Sequence, residues 1–260
     1  MGKFDGYLIC SDLDGTFSVG ADMIEVNSKA IKYFTDNGGK FTFSTGRMAA
    51  HLRDLKLNEI INAPVSLGNG GTIYDYETDS IVYEKRLNYT VGEFVKIITE
   101  KLYLNADMYV FNNCRENMHE PTKFCDLGAL PTQICDIKPI KIVCAFSSVD
   151  DAEDFKAFAM ANPFFSDSYV SKSWSTGVEF NSIDATKGKS IDFLKNYIGN
   201  IHTSIGIGDY ENDISLITHA DIGVAVGNAI DEVKNAADMV VKSAFEYAIK
   251  DLIEIIEKKL

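Results

Sequence analysis

Both ends of the chain alternate short apolar runs with helix-period segments, and the runs stop at polar or glycine-containing turns. "YLICS" (7–11) reads as a short buried strand. Asn27 is placed to cap a helix through "SKAIKYFTDN", with Ile31 and Phe34 on one face and Gly38 and Gly39 as its stop. "KFTFSTG" is the next strand, "RMAAHLRDL" a helix, and "APVSLGNGG" a third strand. After Asp184 the rhythm resumes: helix "KGKSIDFLKNYIG", strand "TSIGIGD", helix "NDISLITHA", strand "DIGVAVG", helix "AIDEVKNAA", strand "DMVV" and an amphipathic "FEYAIKDLIEIIEKK". Strand–helix repeats at this spacing imply a parallel sheet with right-handed crossovers.

The middle of the chain breaks that rhythm. "TIYDYETDSIVYEK" reads as a hairpin around a polar turn at Glu77–Ser80. From about Lys85 to Asn181 the pattern is α+β. A helix is expected at Val91–Leu102, strands near Met108–Phe111 and Ile140–Phe146, a helix at Asp150–Met160, then strands "SYVSK" and "GVEFN". Pro121, Pro131 and Pro139 mark a loop-rich surface between Asn112 and Pro139. One α/β domain is therefore expected to be interrupted by an inserted module.

Composition narrows the partners. The 260 residues carry 38 Asp and Glu against 25 Lys and Arg, a formal charge of −13, which disfavours nucleic acid and anionic membranes as partners. An anionic substrate would need local positive charge from a cation, a lysine or helix N-termini. No apolar run reaches the ~18 residues of a membrane span. "MGKFDG" carries no secretory pattern, and Gly6 stands where a myristoylation motif needs Ser or Thr, so the expected location is cytoplasmic. The five cysteines are odd in number and form no CxxC, which suits reduced thiols. Cys114, His119, Cys125 and Cys135 match no common zinc spacing, and a chain this long needs no metal staple.

Four motifs carry chemistry. In "SDLDGT", Asp12 and Asp14 follow a strand and lie two residues apart, so an extended chain points them to one side. Ligands of open α/β sheets sit beyond the C-terminal strand ends, where paired carboxylates attract a hard cation such as Mg²⁺. A calcium loop fails, because Gly15 stands fourth rather than sixth after Asp12; a polar turn without a role survives on this motif alone. In "GDYENDISL", Asp209 and Asp213 end a second apolar run with Asn212 between them, residues that also suit helix capping. "FSTGR" offers hydroxyls and backbone N–H groups at a helix start, a seat for phosphate. "ATKGKS" contains GKS but has Ile183 where a P-loop needs glycine, leaving Lys187 or Lys189 as a cation at a helix start.

Together, "DLDGT", "STGR", "TKGK" and "GDYEND", in this order, resemble the haloacid dehalogenase superfamily of phosphatases, over roughly residues 7–84 and 183–260. The position of the insertion, after "STGR" and "GNGG" and before "TKGK", resembles the Cof-type branch with its C2B cap. The resemblance implies a Rossmann-like doubly wound parallel α/β core at 1–84 and 183–260, with an inserted α+β cap at 85–182. It further implies Asp12 as nucleophile forming an aspartyl-phosphate, and Asp14 as general acid and then base. Mg²⁺ would sit on Asp12, the Asp14 carbonyl, Asp209 and Asp213. Thr45 would bind phosphate with Ser44 beside it, Lys187 would balance charge, and Asn212 would orient phosphate or metal. Gly46, Arg47, Asn69 and Gly70 fall on the substrate side. The chain lacks the Asp-Gly-Val that such proteins often carry before the last helix, reading "KSAFEYAIKDL" there.

The implied activity is Mg²⁺-dependent hydrolysis of a small phosphorylated metabolite, a sugar phosphate by expectation. A phosphomutase of the phosphomannomutase type is the alternative, but it usually needs basic cap residues. Residues 103–140 hold only Arg115, Lys123 and Lys138. A non-catalytic phosphometabolite-binding regulator would not need the full set of Asp12, Asp14, Lys187 and Asp209.

Overall fold

A computed structural model describes residues 2–100, 106–112, 122–124 and 130–259. In chain order the elements begin β1 (Tyr7–Ser11), α1 (Ala21–Asp36), β2 (Lys40–Phe43), α2 (Ala49–Asp54), β3 (Val65–Leu67), β4 (Thr72–Asp75) and β5 (Ser80–Glu84). They continue with α3 (Val91–Thr99), β6 (Asp107–Phe111), β7 (Thr122–Phe124), α4 (Thr132–Cys135), β8 (Lys141–Ala145), α5 (Val149–Ala161), β9 (Ser168–Trp174) and β10 (Gly177–Ser182). The chain closes with α6 (Lys187–Ile198), β11 (Thr203–Gly208), α7 (Ile214–His219), β12 (Ile222–Ala225), α8 (Asp231–Ala236), β13 (Met239–Val240) and α9 (Ala248–Lys259).

The two ends of the chain build one parallel sheet, ordered β13-β12-β11-β1-β2. Side chains alternate across a strand, so a sheet covered on both faces needs apolar residues at successive positions. In β1, Ile9 joins Phe41, Phe43 and Ile205 under α1 and α9, where Ile31, Phe34, Leu252 and Ile253 cover it. Its neighbours Leu8 and Cys10 face the other way, onto Ile191, Leu194 and Leu216 of α6 and α7. Burying each large aliphatic or aromatic side chain contributes about 1.5–3 kcal/mol, which fixes both helix layers to the sheet.

Two local expectations change. Asn27 does not cap α1, which begins six residues earlier at Ala21. It is fully buried inside the helix instead, donating to Phe17 O (2.9 Å) and accepting from Lys250 N (3.3 Å), and so ties α1 to the start of α9. The third strand, β3, is not a full member of the parallel sheet. It touches that sheet through one bridge, Ser44 with Ser66, and pairs antiparallel with β4 in a three-stranded sheet β3-β4-β5. The glycines that follow β3 turn the chain straight back, so that β4 pairs along its other edge.

The middle of the chain forms an antiparallel sheet, β7-β6-β8-β10-β9. Its even-numbered positions, such as Met108, Val110, Ile142, Cys144, Val178 and Phe180, pack with Phe94, Ile98 and Phe155 of α3 and α5. The odd-numbered positions Tyr109, Phe111, Lys141, Val143, Ala145 and Glu179 face a cavity above the parallel sheet. The outgoing and returning chains meet at an ion pair, Lys85 Nζ with Asp184 at 3.1 Å. The expected helix at Val91–Leu102 is observed as α3 to Thr99; its last residues, and Cys114, His119 and Cys125, lie outside the described residues.

Candidate active site

Parallel strands aim their C-terminal ends at one edge, and β1 and β11 are neighbours in register. That juxtaposition brings Asp12, one residue past β1, against Asp209 and Asp213, which follow β11. One carboxylate oxygen from each lies within 4.8 Å of the others. Asp213 is locked by its own loop, its Oδ2 accepting from the backbone N–H of Asp209 (2.9 Å) and Tyr210 (3.1 Å). Thr16 Oγ1 donates to Asp209 Oδ1 (2.7 Å). Gly15 lies so close that a Cβ there would fall 2.5 Å from Asp209 Oδ2.

Lys187, the first residue of α6, reaches into this cluster with its side chain fully buried. Its Nζ donates to Asp12 Oδ1 and Asp213 Oδ1, both at 2.6 Å. Lys189 points away and pairs with Asp184 at the surface (3.1 Å), so Lys187 is the lysine of the site. Burial opposes the charge of Lys187, but the carboxylates of Asp12 and Asp213 outweigh it and push its pKa upward. Burial, then the Asp213 charge, lifts Asp12 well above the usual carboxylate range despite Lys187. Burial and the Asp213 charge likewise raise Asp209 to about 6. Three carboxylates face one ammonium, so the cluster is short of positive charge. An all-oxygen donor set with that deficit fits a hard divalent cation such as Mg²⁺.

Asp14 lines the same cavity but contributes no carboxylate to the cluster. Arg47 holds it in a two-pronged fork, Nε to Oδ2 at 2.8 Å and Nη2 to Oδ1 at 3.0 Å. Arg47 lines the cavity as well. Thr45 is buried, its Oγ1 accepting from Arg47 N (3.1 Å), which leaves the hydroxyl proton to donate elsewhere. Ser44 is also buried, and its Oγ has no hydrogen-bond partner among the described residues. Gly46 lines the cavity. Gly70 lies behind the cavity wall: at φ 97° it packs on the start of α6, where a Cβ would fall 2.3 Å from Thr186 O. Only glycine accommodates both the left-handed backbone and that approach.

Asn69 and Asn212 belong to a network that crosses from the parallel sheet to the antiparallel one. Asn212 Nδ2 donates to Ser173 Oγ (2.8 Å) and more weakly to Asn69 Oδ1 (3.3 Å). Ser173 Oγ donates to Glu179 Oε2 (2.7 Å), which also accepts from Asn69 Nδ2. Glu179 Oε1 pairs with Lys141 Nζ (2.8 Å), and both side chains are buried. Sequence reasoning missed Lys141, Ser173 and Glu179. The signal lay in charged residues at inward positions of two apolar strands, "KIVCA" and "GVEFN". The count of basic residues stopped at 140, one position short of the lysine that reaches the cavity.

The cavity holds about 510 Å³ and runs from Asp12, Asp14 and Asn212 up to Tyr109, Val143 and Trp174. A family profile of haloacid dehalogenase-like hydrolases matches residues 9–253, nearly the whole chain and all four motifs. The chain is a haloacid dehalogenase-like hydrolase. This hydrolase is 25% identical over 248 residues to the 5-amino-6-(5-phospho-D-ribitylamino)uracil phosphatase YcsE of Bacillus subtilis, covering 95% of this chain and 94% of that one. It is 25% identical over 242 residues to a phosphoglycolate phosphatase of Sulfurisphaera tokodaii, covering 90% and 86%. Its fold matches a B. subtilis haloacid dehalogenase-like hydrolase with TM-score 0.76 at 20% identity, over 95% of this chain and 98% of that one. It also matches the subclass IIB sugar phosphatase BT4131, with TM-score 0.75 at 20% identity over 96% and 98%. The expected α/β core with an α+β cap is the fold observed. No described helix is long and apolar enough to cross a membrane.

Proposed function

We propose that this hydrolase is a Mg²⁺-dependent phosphatase that acts on a small phosphorylated metabolite, a sugar phosphate, through an aspartyl-phosphate at Asp12. The carrying observation is the convergence of Asp12, Asp209 and Asp213 within 4.8 Å around the buried Lys187 ammonium. The phosphatase names of relatives that match from end to end support the reaction class. The sugar phosphatase BT4131, which shares the fold, supports a sugar phosphate as substrate. The proposed division is a core of 1–84 and 183–260 with a cap of 85–182, the cavity lying between them.

Asp12, Asp209 and Asp213 with the Asp14 carbonyl would hold Mg²⁺, which when bound offsets the negative charge of the phosphoryl group. Asp12 attacks phosphorus with a carboxylate oxygen; the bond from phosphorus to the leaving oxygen breaks, and Asp14 gives that oxygen its proton. In the second half Asp14 takes a proton from water, the water oxygen attacks phosphorus, and the bond to Asp12 breaks to release phosphate. Lys187 stays on Asp12 throughout and balances charge. Thr45 donates to a phosphoryl oxygen, with the backbone of Gly46 beside it. For Asp14 to meet the leaving oxygen, its fork with Arg47 must open when substrate arrives. Positioning and charge are nearly all that phosphoryl transfer asks of a protein.

The test is hydrolysis of an aryl phosphate by the purified protein with Mg²⁺. EDTA and Asp12→Asn should each abolish turnover. Phosphate release that survives Asp12→Asn refutes the assignment. A hexose 1-phosphate that yields its 6-isomer instead of free phosphate would favour the mutase alternative.

A further inference from the structure

The alternation of β8 puts Lys141 on the cavity face of an otherwise apolar strand. A buried ammonium costs several kcal/mol of lost hydration, and a buried ion pair is weak evidence for stability by itself. Glu179 offsets that cost but is itself fully engaged: one oxygen faces Lys141, and the other accepts from Ser173 and Asn69. An ammonium has three donors. One side of Nζ faces Glu179, and another lies over the Phe111 ring, 4.8 Å from its centroid. No other acceptor among the described residues meets it. Nζ also lies 3.1 Å from where a Cβ on Gly46 would sit, which places it beside the "STGR" loop in the wall of the cavity.

We propose that Lys141 is a substrate-binding residue that donates to an oxygen of the leaving group, and that Glu179 is the positioning residue that holds it there. The proposal rests on reading the cavity as a phosphate-ester site. The phosphate end belongs to Asp12, Lys187 and Thr45 of the core, whereas Lys141 comes from β8 of the antiparallel sheet and reaches the cavity beside Gly46. Glu179 already neutralises its charge, so it suits a hydroxyl or carbonyl oxygen better than a second anion. The fitting substrate class is a phosphorylated sugar or polyol with an oxygen a few bonds from the ester. The same Glu179 reaches core Asn69 and, through Ser173, core Asn212. The Lys141–Glu179 pair of the antiparallel sheet is thereby tied to the core.

The experiment measures Kd by calorimetry, in EDTA-free buffer with Mg²⁺, for the 6-phosphonate analogue of glucose and for methylphosphonate, which has no leaving-group oxygen. Lys141→Met/Glu179→Gln removes both charges, and the glutamine still accepts from Asn69 and Ser173. The expected result is a loss of affinity for the sugar phosphonate at least tenfold greater than that for methylphosphonate. Lys141→Arg is expected to recover most of it. Equal losses for both probes, or no loss for either, overturn the proposal. Thermal melting of the double variant separates misfolding from lost contact, and Glu179→Gln alone provides a second variant with the same expected ordering. The readout is binding, so a wild type that binds the sugar phosphonate but hydrolyses no ester would refute the phosphatase reading and leave this assignment standing.

Discussion

Replacing Lys187 by Met removes the ammonium that meets Asp12 and Asp213 at 2.6 Å each, in a position with no solvent exposure. Methionine nearly matches the stem, so the change is chiefly electrostatic. Without the ammonium, Asp12, Asp209 and Asp213 face one another within 4.8 Å with no counter-charge. At an effective dielectric of ~20, each carboxylate pair at that range repels by about 3.5 kcal/mol. Breaking a buried pair by removing one partner costs about 3–5 kcal/mol, and ~2–4 °C per kcal/mol for a chain of this size gives a drop of about 6–20 °C in melting temperature. Circular dichroism melts in EDTA at pH 7.5 measure it. Adding Mg²⁺ should recover part of the loss, because a cation supplies the missing charge. Lys187→Met/Asp12→Asn should melt well above Lys187→Met, since one of the repelling charges is gone, a non-additivity that only contacting residues produce. Phosphatase turnover stays absent in both variants. A single variant that melts within 2 °C of wild type, or that keeps wild-type turnover, refutes the reasoning.

Asp221 is partly exposed; burial alone would raise its pKa, but hydrogen bonds from Lys195 and from the N–H and Oγ of Ser204 take it down to about 2. A depressed acid stabilises the fold above its unfolded pKa of ~3.9 and loses that stabilisation as pH falls towards its folded value. Asp221→Asn should therefore lower the melting temperature by a constant amount above about pH 5, and the gap to wild type should narrow from pH 4 towards pH 2. Gly70→Ala should destabilise the protein and lower turnover together, because its Cβ would push on Thr186 O and shift the start of α6 that carries Lys187; an alanine variant with wild-type melting and activity would sink this. Burial pushes the Cys10 thiol up to about 12 and raises that of buried Cys144 as well. Iodoacetamide at pH 8 should leave both unmodified in the folded protein, as mass spectrometry of the peptides would report.

The alternation of apolar strands and amphipathic helices made the core legible in the sequence, because a sheet covered on both faces imprints near-continuous apolar runs. Asp12, Asp14, Asp209 and Asp213 were legible because they stand where such runs stop. The choice between Lys187 and Lys189, which share a short motif, came from the family pattern rather than from the residues themselves; the helix phase turns Lys187 inward and Lys189 towards Asp184. The pairing of β3 escaped notice because a strand as short as Val65–Leu67 reads the same in parallel and antiparallel ladders. Lys141 and Glu179 escaped it because they belong to separate strands, and their charges cancel only after antiparallel pairing brings β8 beside β10.

The meeting of the outgoing and returning chains at Lys85 and Asp184 has a consequence for how such a protein can change. To the parallel sheet, everything between those residues is a loop whose ends are already together. The entropy of closing a loop grows only logarithmically, by about 0.6 kcal/mol per doubling of length. Lengthening or shortening the inserted segment therefore changes the cost of closing it very little for the parallel sheet. If the cavity takes the proposed ester, its selectivity is open to change by insertion and deletion away from Ser173 and Glu179, while the carboxylate cluster lies outside the inserted segment.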